Sequence, residues 1–328
     1  MMKTFNLRIL STSDIHGAVL ALDYADNSET DYGLSRVSSV LKQYRNESTI
    51  LMDIGDDLQG SPLMYFHQLN RDKYPNPMMK AFNHLKYDYY VPGNHDFNYG
   101  LDYLMDFVNT INAKTLCSNI YKKDKTLLFE NPYEIIEYKD GPKVAIIGLT
   151  TQYIPNWENP GYIKDIIFEN AYESLKKTVE ELKDKADIII VAYHGGFEKD
   201  LETDEAYVID TGENLGSRII NNIKDIDVLI TAHQHRHIAI EKHGVTLIQA
   251  GAKASDVAKV DIDFIYNDNS WVIDKKSQEL ISTEHFSCDK MMYEIIKEVE
   301  DDCQVFLDKK IGNVVLDNLE VKDMFLAR

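Results

Sequence analysis

The sequence predicts an α/β fold with mixed sheets, and three observations carry that reading. Five apolar runs each stop at an Asp, Asn or His, the way buried strands deliver functional side chains to a sheet edge. Strand-like and helix-like stretches alternate over most of the chain. A β-rich stretch then closes it before a last, charged helix.

Taken in order, Leu7–Leu10 is a strand leading into Asp14-Ile15-His16. Gly33–Tyr44 is a helix, because Leu34, Val37, Val40 and Leu41 share one face. Ile50–Gly60, ILMDIGDDLQG, is a strand broken at Gly55, with Asp56 and Asp57 next. Ser61–His67 and Met78–Leu85 read as helices. Tyr87–Val91 is a strand ending at Asn94, His95 and Asp96. A helix over Leu101–Ile111 and a strand over Lys114–Asn119 follow, then a loop and hairpin arm over Lys125–Tyr138. Lys143–Leu149 is an interior strand.

Gln152–Gly161, rich in Pro and Asn, is a loop able to border a pocket. Ala171–Lys185 is a helix with Leu175, Val179 and Leu182 inward, and the strand Asp187–Ala192 ends at His194. Tyr207–Asn214 is a loop and Gly216–Ile223 a helix. The strand Val228–Thr231 ends at His233 and His235. Val245–Ala250, Val257–Tyr266 and Trp271–Leu280 are β, the last two forming a hairpin. Met291–Leu307 reads as a charged helix without a strong apolar face, suited to a linker.

Composition excludes several classes. The 328 residues can bury a sizeable core, and 44% hydrophobic content is ordinary for a globular chain. No apolar run is long enough to span a bilayer, and none near the start has signal-peptide length. A cytoplasmic location is therefore expected. Cys117, Cys288 and Cys303 form no CxxC pair and read as small hydrophobes in a reducing compartment. A formal net charge of −19 disfavours nucleic-acid polymers and anionic membranes as partners. It also disfavours a phosphate substrate, unless cations sit in the site.

The residues at the strand ends suit such cations. Imidazole nitrogen and carboxylate oxygen together favour manganese or zinc, with iron or magnesium as alternatives. Two ions about 3.5–4 Å apart need a bridging carboxylate and water. Asp14, His16, Asp56 and His235 are candidates for one ion, and Asp56, Asn94, His194 and His233 for the other, with Asp56 bridging. The shared water would lose a proton near roughly pH 7 and attack as hydroxide. His95, beside Asn94 but pointing elsewhere, is the candidate to protonate the leaving oxygen or stabilise the transition state. Asn94 and His95 are also the substrate-binding candidates.

Each piece alone has an ordinary structural explanation. DxH occurs often by chance, GNHD suits a turn, and His194 before two glycines suits a loop. Their conjunction at successive strand ends carries the reading. Gly55–Ser61 lacks the Lys of a phosphate loop and carries two acids where phosphate would lie. Asp57 is expected to cap a helix. His67, His84, His237, His243 and His285 are expected on the surface.

On these motifs the sequence resembles the calcineurin-like metallophosphoesterases, whose blocks DxH, GDxxxG, GNH(D/E), a lone His and GHxH recur here in order. Ala232 replaces the Gly of the last block, which implies a small backbone adjustment. GDDLQGSPL and Glu213-Asn214 resemble blocks of the 5′-nucleotidase and 2′,3′-cyclic-nucleotide phosphodiesterase group. The resemblance implies a four-layer sandwich, two mixed β-sheets flanked by helices, with two metal ions on loops at one edge. Nucleotidases of that group pair the catalytic His with an Asp three residues on. Here that position is Asn98, in GNHDFNYG, which looks like the cyclic-nucleotide branch. The implied substrate is a 2′,3′-cyclic nucleotide, with 3′-nucleotidase activity following. The implied organisation is a catalytic domain over 1–285, a linker helix over 286–310 and, from 311–328, the start of a C-terminal nucleotide-binding domain otherwise missing. The rivals are a 5′-nucleotidase or UDP-sugar hydrolase and, from another class, a metal-stabilised binding module without catalysis.

Overall fold

The apolar runs become parallel strands buried on both faces, which is why they read as continuous rather than alternating. A computed structural model describes residues 3–206 and 209–310. Its strands are β1 (Thr4–Thr12), β2 (Thr49–Asp53), β3 (Tyr89–Tyr90), β4 (Lys114–Thr115), β5 (Ile120–Lys122), β6 (Tyr133–Glu137) and β7 (Lys143–Thr150). They continue as β8 (Ile166–Phe168), β9 (Ile188–His194), β10 (Val228–Thr231), β11 (His237–Lys242), β12 (Val245–Ala250), β13 (Asp256–Asn267) and β14 (Ser270–Ser282). The helices are α1 (Leu34–Tyr44), α2 (Pro62–Leu69), α3 (Pro77–Leu85), α4 (Leu101–Val108), α5 (Pro160–Ile163), α6 (Ala171–Leu182), α7 (Gly216–Asn222) and α8 (Lys290–Leu307).

One sheet runs β14-β13-β1-β2-β3-β4 and the other β11-β12-β10-β9-β7-β6. In the first, β1 to β4 are parallel and β13 and β14 are added antiparallel; in the second, β12, β10, β9 and β7 are parallel with β11 and β6 added antiparallel, so both sheets are mixed. Alternate residues of one strand face different layers. Ile188, Ile190 and Ala192 of β9 pack between the sheets, against Leu7, Ile9 and Val260. Ile189, Val191 and Tyr193 pack outward, against Leu175 and Val179 of α6 and Ile219 of α7. On the far side α1–α4 and α8 cover Leu10, Leu51 and Tyr90. The result is the expected four-layer order of helices, sheet, sheet and helices.

Three expectations need correction. The last helix does have an apolar stripe: Met292, Ile296, Val299 and Cys303 recur at helical spacing and are buried. Asp289 caps it and accepts hydrogen bonds from Ser38 and Lys42 on α1, so α8 is docked on the domain. Charged residues interleaved with the stripe hid it in the sequence. His67 is buried, not on the surface, with its ring between Tyr103 Oη (2.6 Å) and the Tyr74 carbonyl (3.1 Å). Asp57 caps no helix; Ser61 caps α2 by accepting the Met64 N–H.

The three cysteines are free; Cys117 and Cys303 are buried as small hydrophobes, while Cys288 is only half-buried. The proposed domain start at 311–328 lies outside the described residues, as do residues 207 and 208 of the expected loop Tyr207–Asn214. Among the described residues no helix is long and apolar enough to cross a membrane.

Candidate metal centre

Every candidate residue sits just beyond, or at, the C-terminal end of a parallel strand. Adjacent strands β1, β2 and β3 of the first sheet present Asp14 and His16, Asp56, and Asn94 and His95. Adjacent strands β9 and β10 of the second present His194, and His233 and His235. The seam between the two sheet edges collects all of them. The loops are laced together by backbone hydrogen bonds: Asp14 N–H to Gly55 O (2.7 Å), His16 N–H to Asp56 O (2.8 Å) and Lys253 N–H to Asp14 O (2.7 Å).

The backbone is unusual at these positions. Asp14 (φ 51°), His16 (51°), Asp56 (65°), His233 (71°) and His235 (55°) all lie in the left-handed region. Each such non-glycine residue costs on the order of 1 kcal/mol and persists only where its surroundings enforce it. The strain turns side chains inward that an extended chain would point away. Gly93 is needed for a different reason: a Cβ there would lie 2.3 Å from Asp56 Oδ1 and 2.6 Å from His194 Cε1. Ala232, in place of glycine, is buried in the core between the sheets and has no positive φ, so its methyl is accommodated.

Two groups of donors result. Ligand atoms of Asp14, His16 and His235 lie within 4.8 Å of one another, and so do those of Asp56, His194 and His233. In the first group His16 Nε2 is 3.1 Å from His235 Nε2, which is 3.5 Å from Asp14 Oδ1. In the second, His194 Nε2 is 3.3 Å from Asp56 Oδ2 and 3.1 Å from Asn94 Oδ1. Backbone carbonyls fix two rings: Nδ1–H of His16 donates to Gln59 O (3.0 Å) and Nδ1–H of His194 to Ile54 O, leaving each Nε2 free to bind. Glu213 accepts from Nε2–H of His233 at 2.8 Å, which leaves Nδ1 of that ring. Imidazoles oriented through their second nitrogen beside buried carboxylates are a donor set that fits divalent ions.

The electrostatics agree. Burial alone would raise the Asp56 carboxyl, but His194, then His95 and His16, together outweigh it and hold the group below its ordinary value. Burial alone would lower His194, yet the charge and hydrogen bond of Asp56 overcome it and push the ring up to about 10. His235 is raised, chiefly by its contact with Asp14, and His16 is lowered by burial. A field that holds a buried imidazole charged also attracts a divalent ion in its place. Beneath the site burial pushes Asp53 up to about 7 and Asp57 well above the carboxylate range.

The structure thus brings all seven candidate ligands together and sets His95 and Asn98 beside them. His95 Nδ1 is 2.7 Å from Asn98 Oδ1, and Asn98 Nδ2 donates to Glu158 Oε2 at 2.7 Å. A cleft of about 320 Å³ opens there, lined by Asn94, His95, Asn98, Trp157, Glu158 and His233. Its volume lies at the lower end of the range for small-molecule sites, about 300–1,000 Å³. The loop expected to border a pocket does so through Trp157 and Glu158.

Two functions escaped sequence reasoning. Asp96 is a clasp: its Oδ1 accepts from Asp57 and Leu58 N–H and its Oδ2 from Asp56 and Gly93 N–H and Tyr90 Oη. It pins the loop after β2 to the loop after β3. Glu158 stands 60 residues from Asn98, and nothing in its spacing signals the contact.

Comparison with known proteins matches residues 7–237 to the calcineurin-like phosphoesterase family. The chain is 29% identical to the trifunctional nucleotide phosphoesterase protein YfkN of Bacillus subtilis, over 95% of this chain and 23% of that protein. It is 27% identical to a 2′,3′-cyclic-nucleotide 2′-phosphodiesterase/3′-nucleotidase of Haemophilus influenzae, over 82% of this chain and 44% of that one. A crystal structure of a Staphylococcus aureus protein assigned as a 5′-nucleotidase, in complex with α-ketoglutarate, aligns with a TM-score of 0.82 and 36% identity. It covers 90% of this chain and 58% of that one. The chain therefore spans less than half the length of these two curated relatives.

Proposed function

The chain belongs to the calcineurin-like phosphoesterases, and from that premise we propose that it hydrolyses phosphate esters of small nucleotides. The first substrate in this reading is a 2′,3′-cyclic nucleotide, opened at the 2′ bond, with the resulting 3′-nucleotide the next. The observation that carries it is the pairing of two donor groups with a cleft that presents His95 and Asn98. A 5′-nucleotide remains the second reading, favoured by the assignment of the S. aureus neighbour.

Asp14, His16, Asp56 and His235 would hold one ion, and Asp56, Asn94, His194 and His233 the other. Manganese or zinc suits these ligands best. Two such ions supply an activated water and neutralise charge on the phosphoryl oxygens. The residues do the rest. Asn94 and His95 border the cleft where the ester would lie. As the P–O bond breaks, its electron pair stays on the leaving oxygen, which takes the proton from Nε2 of the His95 imidazolium and leaves a neutral ring with its hydrogen on Nδ1. Trp157, half-exposed and 5.4 Å from the His233 ring, walls the far side.

The catalytic unit in this reading is residues 1–285. The segment 286–310 acts as a docked connector, not a swinging one, because α8 is packed on the helical layer. Three free cysteines fit a reducing, cytoplasmic compartment.

The test strips the metal, restores manganese or zinc, and compares 2′,3′-cyclic AMP, 3′-AMP and 5′-AMP. Fastest cleavage of the cyclic ester is expected. Preference for 5′-AMP would move the chain to the second reading. No hydrolysis of any phosphate ester by the metal-loaded protein would sink both.

A further inference from the structure

We propose that Glu158 is a positioning residue for His95, acting through the amide of Asn98. The proposal rests on the phosphoesterase reading, in which His95 serves the leaving oxygen. Asn98 lies between the two: its Oδ1 is 2.7 Å from His95 Nδ1 and its Nδ2 donates to Glu158 Oε2 at 2.7 Å. The other oxygen of Glu158 accepts the Asn159 N–H at 2.6 Å, and the Glu158 N–H donates to Ile154 O at 3.0 Å. The residue is 8% exposed and anchored on both sides.

An amide has the same shape either way round. Left alone, Asn98 could turn either its oxygen or its NH2 to the imidazole. A carboxylate only accepts, so Glu158 draws the NH2 group and leaves Oδ1 for His95. That oxygen also only accepts, so Nδ1 of His95 must carry a hydrogen. The nitrogen left for the cleft is Nε2. One buried carboxylate thereby sets the amide, and the amide sets the tautomer of a ring two hydrogen bonds away. An Asp at position 98 would do this unaided; an Asn cannot, and Glu158 supplies what it lacks.

A simpler role exists, since Glu158 also closes the start of α5 through Asn159. The two roles separate in Glu158→Gln. The Asn159 N–H still needs an acceptor, so the new side chain keeps its oxygen there and turns its NH2 toward Asn98. Asn98 must then present Oδ1 to that group and its own NH2 to His95, which leaves Nδ1 as acceptor. The tautomer inverts. Adding Asn98→Asp to Glu158→Gln restores it, because a carboxylate at position 98 accepts from both neighbours.

The experiment records the imidazole 15N signals of His95 in the zinc-loaded protein, assigned by their loss in His95→Ala, together with turnover of 2′,3′-cyclic AMP. The parent should show hydrogen on Nδ1. Glu158→Gln should show it on Nε2 alone, a ring that cannot release that proton without becoming an imidazolate, and lower kcat by about 10- to 100-fold, the usual cost of losing such a supporting partner. KM should stay within about twofold, since ground-state binding is untouched. The double variant should recover both the Nδ1–H signal and most of kcat. A merely structural role predicts no such rescue. A parent ring without hydrogen on Nδ1 overturns the proposal, and so does an Nδ1–H signal retained in Glu158→Gln. If His95→Ala itself leaves turnover unchanged, the phosphoesterase role of His95 fails, and the Glu158 proposal with it. If only Glu158→Gln is silent, the Glu158 proposal fails alone.

Discussion

The two donor groups use the same chemistry at different depths. Asp56 and His194 are buried completely, with side chains 1% and 0% exposed, whereas His235 in the other group is 46% exposed. The deep group is tied to the fold: His194 is the last residue of β9 and bonds to Ile54 beyond β2, in the opposite sheet. In the other group Asp14 is as deeply buried, and it is His235 that stands open to solvent. Identical ligand types can thus be part of the core in one place and part of the surface in another. Burial, not donor identity, decides which site supports the fold.

The largest effect tests what the two groups share. Asp56→Asn should reduce bound metal at both sites and lower kcat/KM by about a thousandfold or more, the scale of the several kcal/mol that paired ions supply. Loss of one ion only would remove Asp56 from its bridging place. His95→Ala should lower kcat by about 10²- to 10⁴-fold while metal analysis still finds two ions, because the ring lies outside both groups.

Depth itself is tested next. His194→Ala should destabilise the protein by about 2–5 kcal/mol, as expected when a buried side chain leaves a cavity, read from denaturant unfolding. His235→Ala should stay within about 0.5 kcal/mol in chelator-treated protein. Equal losses would erase the contrast between the sites.

A pH effect sharpens the same point. In metal-stripped protein His194 is raised from 6.5 to about 10 by Asp56. A group raised in the folded state stabilises it fully below the unfolded value, and the gain is lost as pH climbs toward the folded one. Stability of stripped protein should therefore fall between about pH 6.5 and 10. Metal-loaded protein should lack that slope, since the bound ring is neutral throughout. The smallest effect concerns substrate choice. Asn98→Asp, made in the Glu158→Gln background to avoid two facing carboxylates, should shift relative cleavage toward 5′-AMP by about tenfold or less. An unchanged preference would strip Asn98 of any part in specificity.

Much of this was legible in the sequence, for local reasons. Apolar runs ending in Asp, Asn or His mark strands meeting a polar edge, and the helical repeats of α1 and α6 give their own inner faces. The edge strand β11 was harder, because His237–Lys242 sets three successive apolar residues between His237 and Glu241-Lys242 and so carries no period of two. In α8 the stripe of Met292, Ile296, Val299 and Cys303 was masked by charges and by the buried Glu300, which Tyr24 and Gln304 satisfy. His67 looked like a surface residue because its partners, Tyr74 and Tyr103, meet it only after folding.

The sequence by itself determined the strands, their order along the chain and which donors stand at their ends, because each depends on residues a few positions apart. Only the tertiary structure decided that two sheets would align their edges, that five donors would sit at positive φ, and which nitrogen each histidine would offer. Those features depend on partners 40 to 140 residues away, such as Asp96 for Asp56 and Ile54 for His194. Hydrogen bonds at that range leave no period in a sequence; they exist only once the layers have packed.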